Sequence, residues 1–380
     1  MDKKILFDGR FLSLSHAGIG RYSCELLKEL LYLDAKQKYI LTIIPGTEIE
    51  KDLSRALNER DNPVEIVEIA ARHYSLAEQT KYLKLLNELK PDLVHFPHFN
   101  HPILYKGKFV VTIHDLTLSQ YAERGNLFKR KAYYYVISHA AKAAVKVLTV
   151  SDFVRRDLIS NFDLPPNKVI TAYNGIDAKF KKITNPKTLK KVEKYKLFKP
   201  YILSVGQWRS HKNLLKLVDA FNEIQKLPEW KGKIELVFAG RFDPKYPELP
   251  QKVAELNLQK AVKFTGFVED EDLPIIYNNA TVFVFPSYSE GFGLPGLEAQ
   301  ACGVPVVSSN KTSLPEILGD GALYFNPENV KNMTEKILAV LTDRKLRNNL
   351  IKAGEENAKK FSWKKTAEKT LEIYQEILYK

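Results

Sequence analysis

Apolar residues arrive along this chain in short, nearly unbroken runs, separated by stretches where they recur at three- and four-residue steps. The runs predict strands at 4–8, 39–44, 64–69, 93–96, 108–113, 147–150 and 168–172. The pattern then restarts, with strands at 201–205, 234–239, 262–265, 281–285, 304–307 and 322–325. Helical periodicity marks 20–33, 76–89 and 126–146 in the first half, and 330–341, 346–360 and 363–378 after the last strand. Strands that are apolar on both faces are those of parallel sheets covered by helices. Strict alternation with helices predicts a doubly wound α/β fold, here twice. A length of 380 residues also suits two domains. The boundary is expected at 179–200, a stretch with many lysines, two prolines and little apolar periodicity, which reads as an exposed linker.

Composition narrows the class. With 44% hydrophobic and 27% charged residues the chain is ordinary globular protein, which excludes disordered and fibrous architectures. No apolar run reaches the ~18 residues of a membrane-spanning helix. The opening MDKKILFDGR starts a strand pattern at once, so no signal peptide is expected. Cys24 and Cys302 lie far apart without metal-type spacing, which argues against a disulfide framework or a zinc site and for a reducing cytoplasm. The net charge of +13 is the skewed quantity. It fits a solvated lysine-rich surface, anionic ligands, an anionic membrane or nucleic acid. A basic stripe interleaved with aromatics at a recognised motif is lacking, so nucleic acid is not an expected partner.

In open parallel sheets ligands bind beyond the carboxyl ends of the strands, and two such sheets facing each other would enclose a deep cleft. Candidate chemistry is therefore sought just after each strand. Gly18-Ile19-Gly20-Arg21-Tyr22 enters a helix, where glycine lets a ligand approach and the N-terminus favours an anion. A dinucleotide fingerprint would need glycine at Ser23, and no GKS or GKT follows for a P-loop. Thr112-Ile113-His114-Asp115 closes a strand, with His114 either a cleft imidazole or a satisfied structural histidine. His95, His98 and His101 do not match a helical HExxH metal site and read as cleft-lining or structural. Asn174-Gly175 is a turn before the linker.

In the second half, Val205-Gly206-Gln207-Trp208-Arg209-Ser210-His211-Lys212 runs from strand to helix, and Gly240-Arg241 offers a further cation at a strand end. Such groups fit a diphosphate or a solvated surface equally well. The most informative stretch is Ser289-Glu290-Gly291-Phe292-Gly293-Leu294-Pro295-Gly296-Leu297-Glu298-Ala299. Pro295 suits the first turn of a helix. Gly291 and Gly293 present backbone N–H groups to anions and hydroxyls. Glu290 sits in the loop and Glu298 about one turn into the helix, both expected to face the cleft at different depths. Ordinary acidic stabilisation of a helix N-terminus does not explain so many glycines around them.

Taken in order, GIGRY, THD, TVSDF, NGID, VGQWRSHKN and SEGFGLPGLEA resemble the family-four retaining glycosyltransferases over essentially the whole length. The resemblance implies the GT-B fold, with two Rossmann-like domains facing across a cleft and a final helix crossing back to the first. The domains expected are 1–185 with 361–380, for the acceptor, and 198–360, for the nucleotide sugar. It implies transfer of a sugar from a nucleotide diphosphate sugar to a hydroxyl of a glycan or lipid-linked acceptor, with the α configuration kept. By the resemblance, Glu290 binds donor-sugar hydroxyls, Glu298 the ribose and Lys212 the diphosphate. Gly291, Phe292, Gly293 and Leu294 offer the loop to sugar and phosphate. Gly18 and Gly20 lie near the phosphates, and His114 near the reacting carbon. Many members carry arginine where this chain has Gln207, and Arg209 or Arg241 is the candidate substitute. Neither a metal nor a bound cofactor is expected.

GIGRY and HD look most like mannosyltransferase-like members that build surface polysaccharides. The segment Phe128-Lys129-Arg130-Lys131-Ala132-Tyr133-Tyr134-Tyr135 suits either peripheral contact with an anionic membrane at its inner face or an ordinary solvated helix. The other readings are a nucleic-acid-binding protein, a glycoside hydrolase or phosphorylase, and a catalytically inactive sugar-binding protein.

Overall fold

A computed structural model describes residues 2–12, 17–117 and 127–379, with 17 and 127–129 by backbone alone. The chain divides into two units, Met1–Gly175 with Ser362–Lys380, and Ile176–Phe361. Residues 179–200, expected as an exposed linker, therefore lie inside the second unit. Most lysines of the segment are exposed, but Lys179 pairs with Asp177 and Asp270, Phe180, Val192 and Leu197 are buried there, and Tyr195 Oη donates to Asp272 at 2.8 Å.

Among the described residues the first unit holds β1 (Lys4–Asp8), β2 (Lys38–Ile43), β3 (Glu65–Glu68), β4 (Leu93–Phe96), β5 (Phe109–Ile113), β6 (Lys146–Thr149) and β7 (Val169–Thr171). They form one parallel sheet in the order β3-β2-β1-β4-β5-β6-β7. Phe7 stands in register with Leu41 on one side and His95 on the other. The apolar runs are buried because helices cover the sheet, among them Ala17–Leu33, Leu127–Ala143 and Asp152–Phe162. The last of these begins where Ser151 Oγ accepts the N–H of Val154, and ends at Asp163 in the left-handed conformation. The segment 76–89, expected as one helix, is helical throughout, with a π-helical turn at Glu78–Tyr82 ahead of Leu83–Leu89.

The helix Trp363–Tyr379 belongs to this first unit and packs on Ala17–Leu33. Its Tyr374 hydroxyl bonds His95 Nδ1, His95 Nε2 meets Thr112 Oγ1 at 2.9 Å, and Thr112 Oγ1 meets Tyr22 Oη at 2.9 Å. All four residues are buried, and burial pushes the His95 imidazole down to about 3. His95 is thus a neutral core group. His98 bonds Asn100, and His101 bonds the Phe99 carbonyl and His139.

The second unit holds β8 (Tyr201–Val205), β9 (Glu235–Ala239), β10 (Val262–Gly266), β11 (Val282–Phe285), β12 (Val306–Ser309) and β13 (Ala322–Phe325), ordered β10-β9-β8-β11-β12-β13 and parallel throughout. Strand β12 starts two residues later than the apolar run 304–307, because Pro305 has no N–H for the ladder. Helices Val330–Thr342 and Arg344–Ala358 start at Asn329 and Asp343, whose side chains accept from Asn332 and Leu346. Cys24 and Cys302 are buried free thiols, one in each unit.

Candidate functional site

In the first unit the candidate residues gather at the carboxyl end of β5. His114 follows that strand, and its Nε2 lies 2.8 Å from the Pro97 carbonyl. A carbonyl only accepts, so Nε2 carries the proton in the neutral ring and Nδ1 carries the lone pair. Burial holds the imidazole below its usual range, against the opposing effects of the Pro97 bond and of Asp115. It is therefore uncharged at neutral pH. The Tyr22 ring meets His114 edge-on at 4.7 Å, so GIGRY and THD, ninety residues apart, touch through Tyr22, Thr112 and His114. Gly18 and Gly20 sit within the helix Ala17–Leu33 and not in a preceding loop. A Cβ on Gly18 would meet nothing within 4 Å among the described residues, so space there does not demand glycine.

In the second unit Gly206 and Gly240 end the neighbouring strands β8 and β9 with φ of +143° and +155°. A Cβ on Gly240 would lie 2.1 Å from the Gly206 carbonyl, so this close approach of two strand ends admits only glycine there. Beyond β8 a short turn, Ser210–Lys212, leads into the helix Leu214–Gln225. The turn directs Lys212 toward the loop after β11, where its Nζ bonds Glu290 Oε1 at 2.6 Å. Both side chains are mostly buried, at 18% and 12% exposure. A lysine and a carboxylate 78 positions apart are thus one ion pair.

The loop then descends into the helix Leu294–Ala301, whose N-cap Gly293 has φ of +109°. A side chain at 293 would strike Leu314 Cδ2 at 2.7 Å, so both the backbone and the space demand glycine. The Phe292 ring is buried and meets Phe361 at 5.8 Å. Leu294 and Pro295 begin the helix as expected. Glu298 points inward: it is 3% exposed, and Tyr277 Oη donates to its Oε2 at 2.9 Å. Tyr277 carried no signal in the sequence, since it sits in a short helix, Leu273–Asn278, 21 positions away.

The two candidate arginines part company. Arg209 Nη1 binds Asp243 Oδ2 at 2.9 Å, whereas the Arg241 guanidinium lies 5.3 Å over the Phe267 ring. Among the described residues Arg241 meets no carboxylate at salt-bridge distance. Beside them Trp208, Gly240, Phe242, Pro250, Phe264 and Gly266 line an apolar hollow of about 340 Å³. Among the described residues no group of three or more His, Cys, Asp or Glu is arranged to hold a metal.

Comparison with known proteins bears on these clusters. Residues 17–180 match the Glycosyltransferase Family 4 model, and residues 186–357 match Glycosyl transferases group 1. The chain is 31% identical to O-antigen chain mannosyltransferase B of Escherichia coli, over 98% of this chain and 99% of that one. It is 30% identical to O-antigen chain mannosyltransferase RfbU of Salmonella typhimurium, over 64% of each. In fold it is similar to Anabaena HepE, solved in complex with UDP and glucose, with a TM-score of 0.76 at 18% identity and coverage of 98% and 99%.

Proposed function

This chain belongs to the family 4 glycosyltransferases, and from that premise we propose that it moves mannose from a nucleoside diphosphate mannose to a hydroxyl of a glycan or lipid-linked acceptor, with the anomeric configuration retained, in surface polysaccharide synthesis. The choice of sugar is supported by the two mannosyltransferases it is similar to. The observation that carries the assignment of the site is the 2.6 Å contact of Lys212 with Glu290 beside a glycine-rich helix start. It brings a cation from the turn after β8 and a carboxylate from the loop after β11 together beside the N-terminus of a helix, which is what a sugar diphosphate needs for recognition.

In this reading Lys212 neutralises charge on the departing diphosphate. Glu290 accepts from hydroxyls of the donor sugar. Glu298, buried and held by Tyr277 Oη, is the ribose ligand in this reading. Neutral His114 offers Nδ1 as an acceptor to the reacting sugar. Arg241, not already engaged by a carboxylate as Arg209 is, supplies the charge that Gln207 does not. The aromatic hollow beside β9 and β10 gives a planar base an apolar surface to lie on. The test is turnover against GDP-mannose, UDP-glucose and ADP-glucose with a mannan-type oligosaccharide acceptor, and NMR of the product. Mannose transfer giving an α linkage is expected. Turnover with a glucose donor alone, or a β product, overturns the sugar or the stereochemistry.

The reading extends to location. Among the described residues no helix is long and apolar enough to cross a membrane. Peripheral contact is supported by the helix Leu127–Ala143, which exposes Arg130, Lys131, Tyr134 and Tyr135; Phe128 and Lys129 of the same cluster lie outside the described side chains. Cations meeting headgroups, with tyrosines at the interface, bind an anionic surface from the cytoplasmic side. The protein is expected to sediment with phosphatidylglycerol vesicles at low salt and less so at high salt. Arg130→Glu with Lys131→Glu should remove that sedimentation and spare transfer to a soluble acceptor. No sedimentation at low salt would leave the helix an ordinary solvated one.

A further inference from the structure

The loop carrying Glu290 is gripped by a segment that follows the next strand. After β12 the chain crosses back over the loop before the helix Leu314–Leu318 begins. The Glu290 backbone N–H donates to Thr312 Oγ1 at 3.1 Å. Ser313 Oγ, fully buried, lies 2.9 Å from the Glu290 carbonyl and 3.0 Å from that of Phe292, so its one proton serves both oxygens. Leu314 fills the space beside Gly293 that a side chain would otherwise take. Three successive side chains thus fix the backbone of residues 290–293. Thr312 does so from φ of +55°, a conformation that a β-branched residue disfavours. Glycine would relax that backbone but lacks the hydroxyl that Glu290 N–H uses. Strain of this kind persists where the surroundings over-determine it, commonly at functional sites.

We propose that Thr312 and Ser313 are positioning residues for sugar transfer, acting through Glu290; this rests on the reading of Glu290 as the donor-sugar ligand. With its N–H and carbonyl both held, Glu290 keeps only side-chain freedom, and Lys212 restrains that. A carboxylate set in place beforehand does not have to reorganise when the transition state forms. Loosening the grip is therefore felt in kcat and not in the binding of a nucleoside diphosphate that lacks the sugar.

Thr312→Val keeps the shape and deletes the acceptor. It is expected to lower kcat about tenfold, the worth of one well-placed hydrogen bond, while the Kd for GDP or UDP stays within about twofold. Thr312→Ser should restore most of the activity. Thr312→Gly, which relieves the backbone and also lacks the hydroxyl, should lose kcat similarly at an unchanged or higher Tm, which separates positioning from folding. In a Glu290→Gln background Thr312→Val should add less than about twofold, since the residue acts through a group already disabled. Wild-type kcat in both Thr312→Val and Thr312→Gly overturns the proposal, as does an undiminished tenfold loss in the Glu290→Gln background. Wild-type turnover in Glu290→Gln alone would instead remove the premise, a result distinguishable from failure of the grip.

Discussion

Replacing Glu290 with glutamine is expected to lower kcat by about a hundredfold or more, while GDP or UDP binds within about twofold of the wild-type affinity. Glutamine keeps the size and one acceptor oxygen, so the loop held by Thr312 and Ser313 should stand. What disappears is the negative charge, and with it the strong bonds to sugar hydroxyls and the partner of Lys212. The side chain is only 12% exposed, so water replaces little of what is lost. The free nucleotide has no sugar for Glu290 to hold, which is why its affinity should survive. Calorimetric titration beside steady-state turnover separates the two quantities. Parallel loss of nucleotide affinity would assign Glu290 to the nucleotide or to the fold.

Lys212→Ala should be comparably damaging, for a different reason. Departure of a nucleoside diphosphate builds negative charge, and a fixed cation in a water-poor site lowers that barrier. Removing it also leaves the Glu290 carboxylate unpaired in a mostly buried setting, where an uncompensated charge is costly. A fall in kcat of about a hundredfold or more is expected, together with weaker binding of the nucleoside diphosphate. Lys212→Arg should rescue only in part, because a planar fork does not reproduce a compact ammonium 2.6 Å from Glu290 Oε1. With lysine in this role the reaction is expected to run in EDTA. Near-normal turnover in Lys212→Ala, or inhibition by EDTA that added metal reverses, would remove the lysine from its assigned part.

The strands were legible because parallel sheets buried on both faces leave nearly continuous apolar runs such as 201–205 and 93–96, and these match β8 and β4 to the residue. The short helices Lys51–Asn58 and Asp152–Phe162 escaped because each buries only three side chains, too few for a periodic signal. The segment 179–200 misled for a related reason: three anchors, Phe180, Val192 and Leu197, are hidden among many lysines. At the site, glycines and carboxylates stood out by type and spacing, so Glu290, Gly293 and Lys212 were visible. Thr312, Ser313 and Tyr277 were not. Their parts depend on contacts to residues 21 to 23 positions away, and a Thr-Ser pair before Leu-Pro looks like any helix start.

The insertion of one unit within the other sets a timetable for biosynthesis. Residues Ser362–Lys380 belong with Met1–Gly175, yet the ribosome makes all of Ile176–Phe361 between them. The first sheet is translated early but lacks the helix Trp363–Tyr379 that closes over the helix Ala17–Leu33. Until Tyr374 arrives, His95 has no hydroxyl for its Nδ1, and the apolar surface beneath the missing helix faces water. At the usual pace of synthesis, about 5–20 residues per second, that interval lasts on the order of ten seconds or more. The nascent first unit is therefore a natural client for chaperones, and a chain stopped before Ser362 is one for proteases, even though its second unit is already complete.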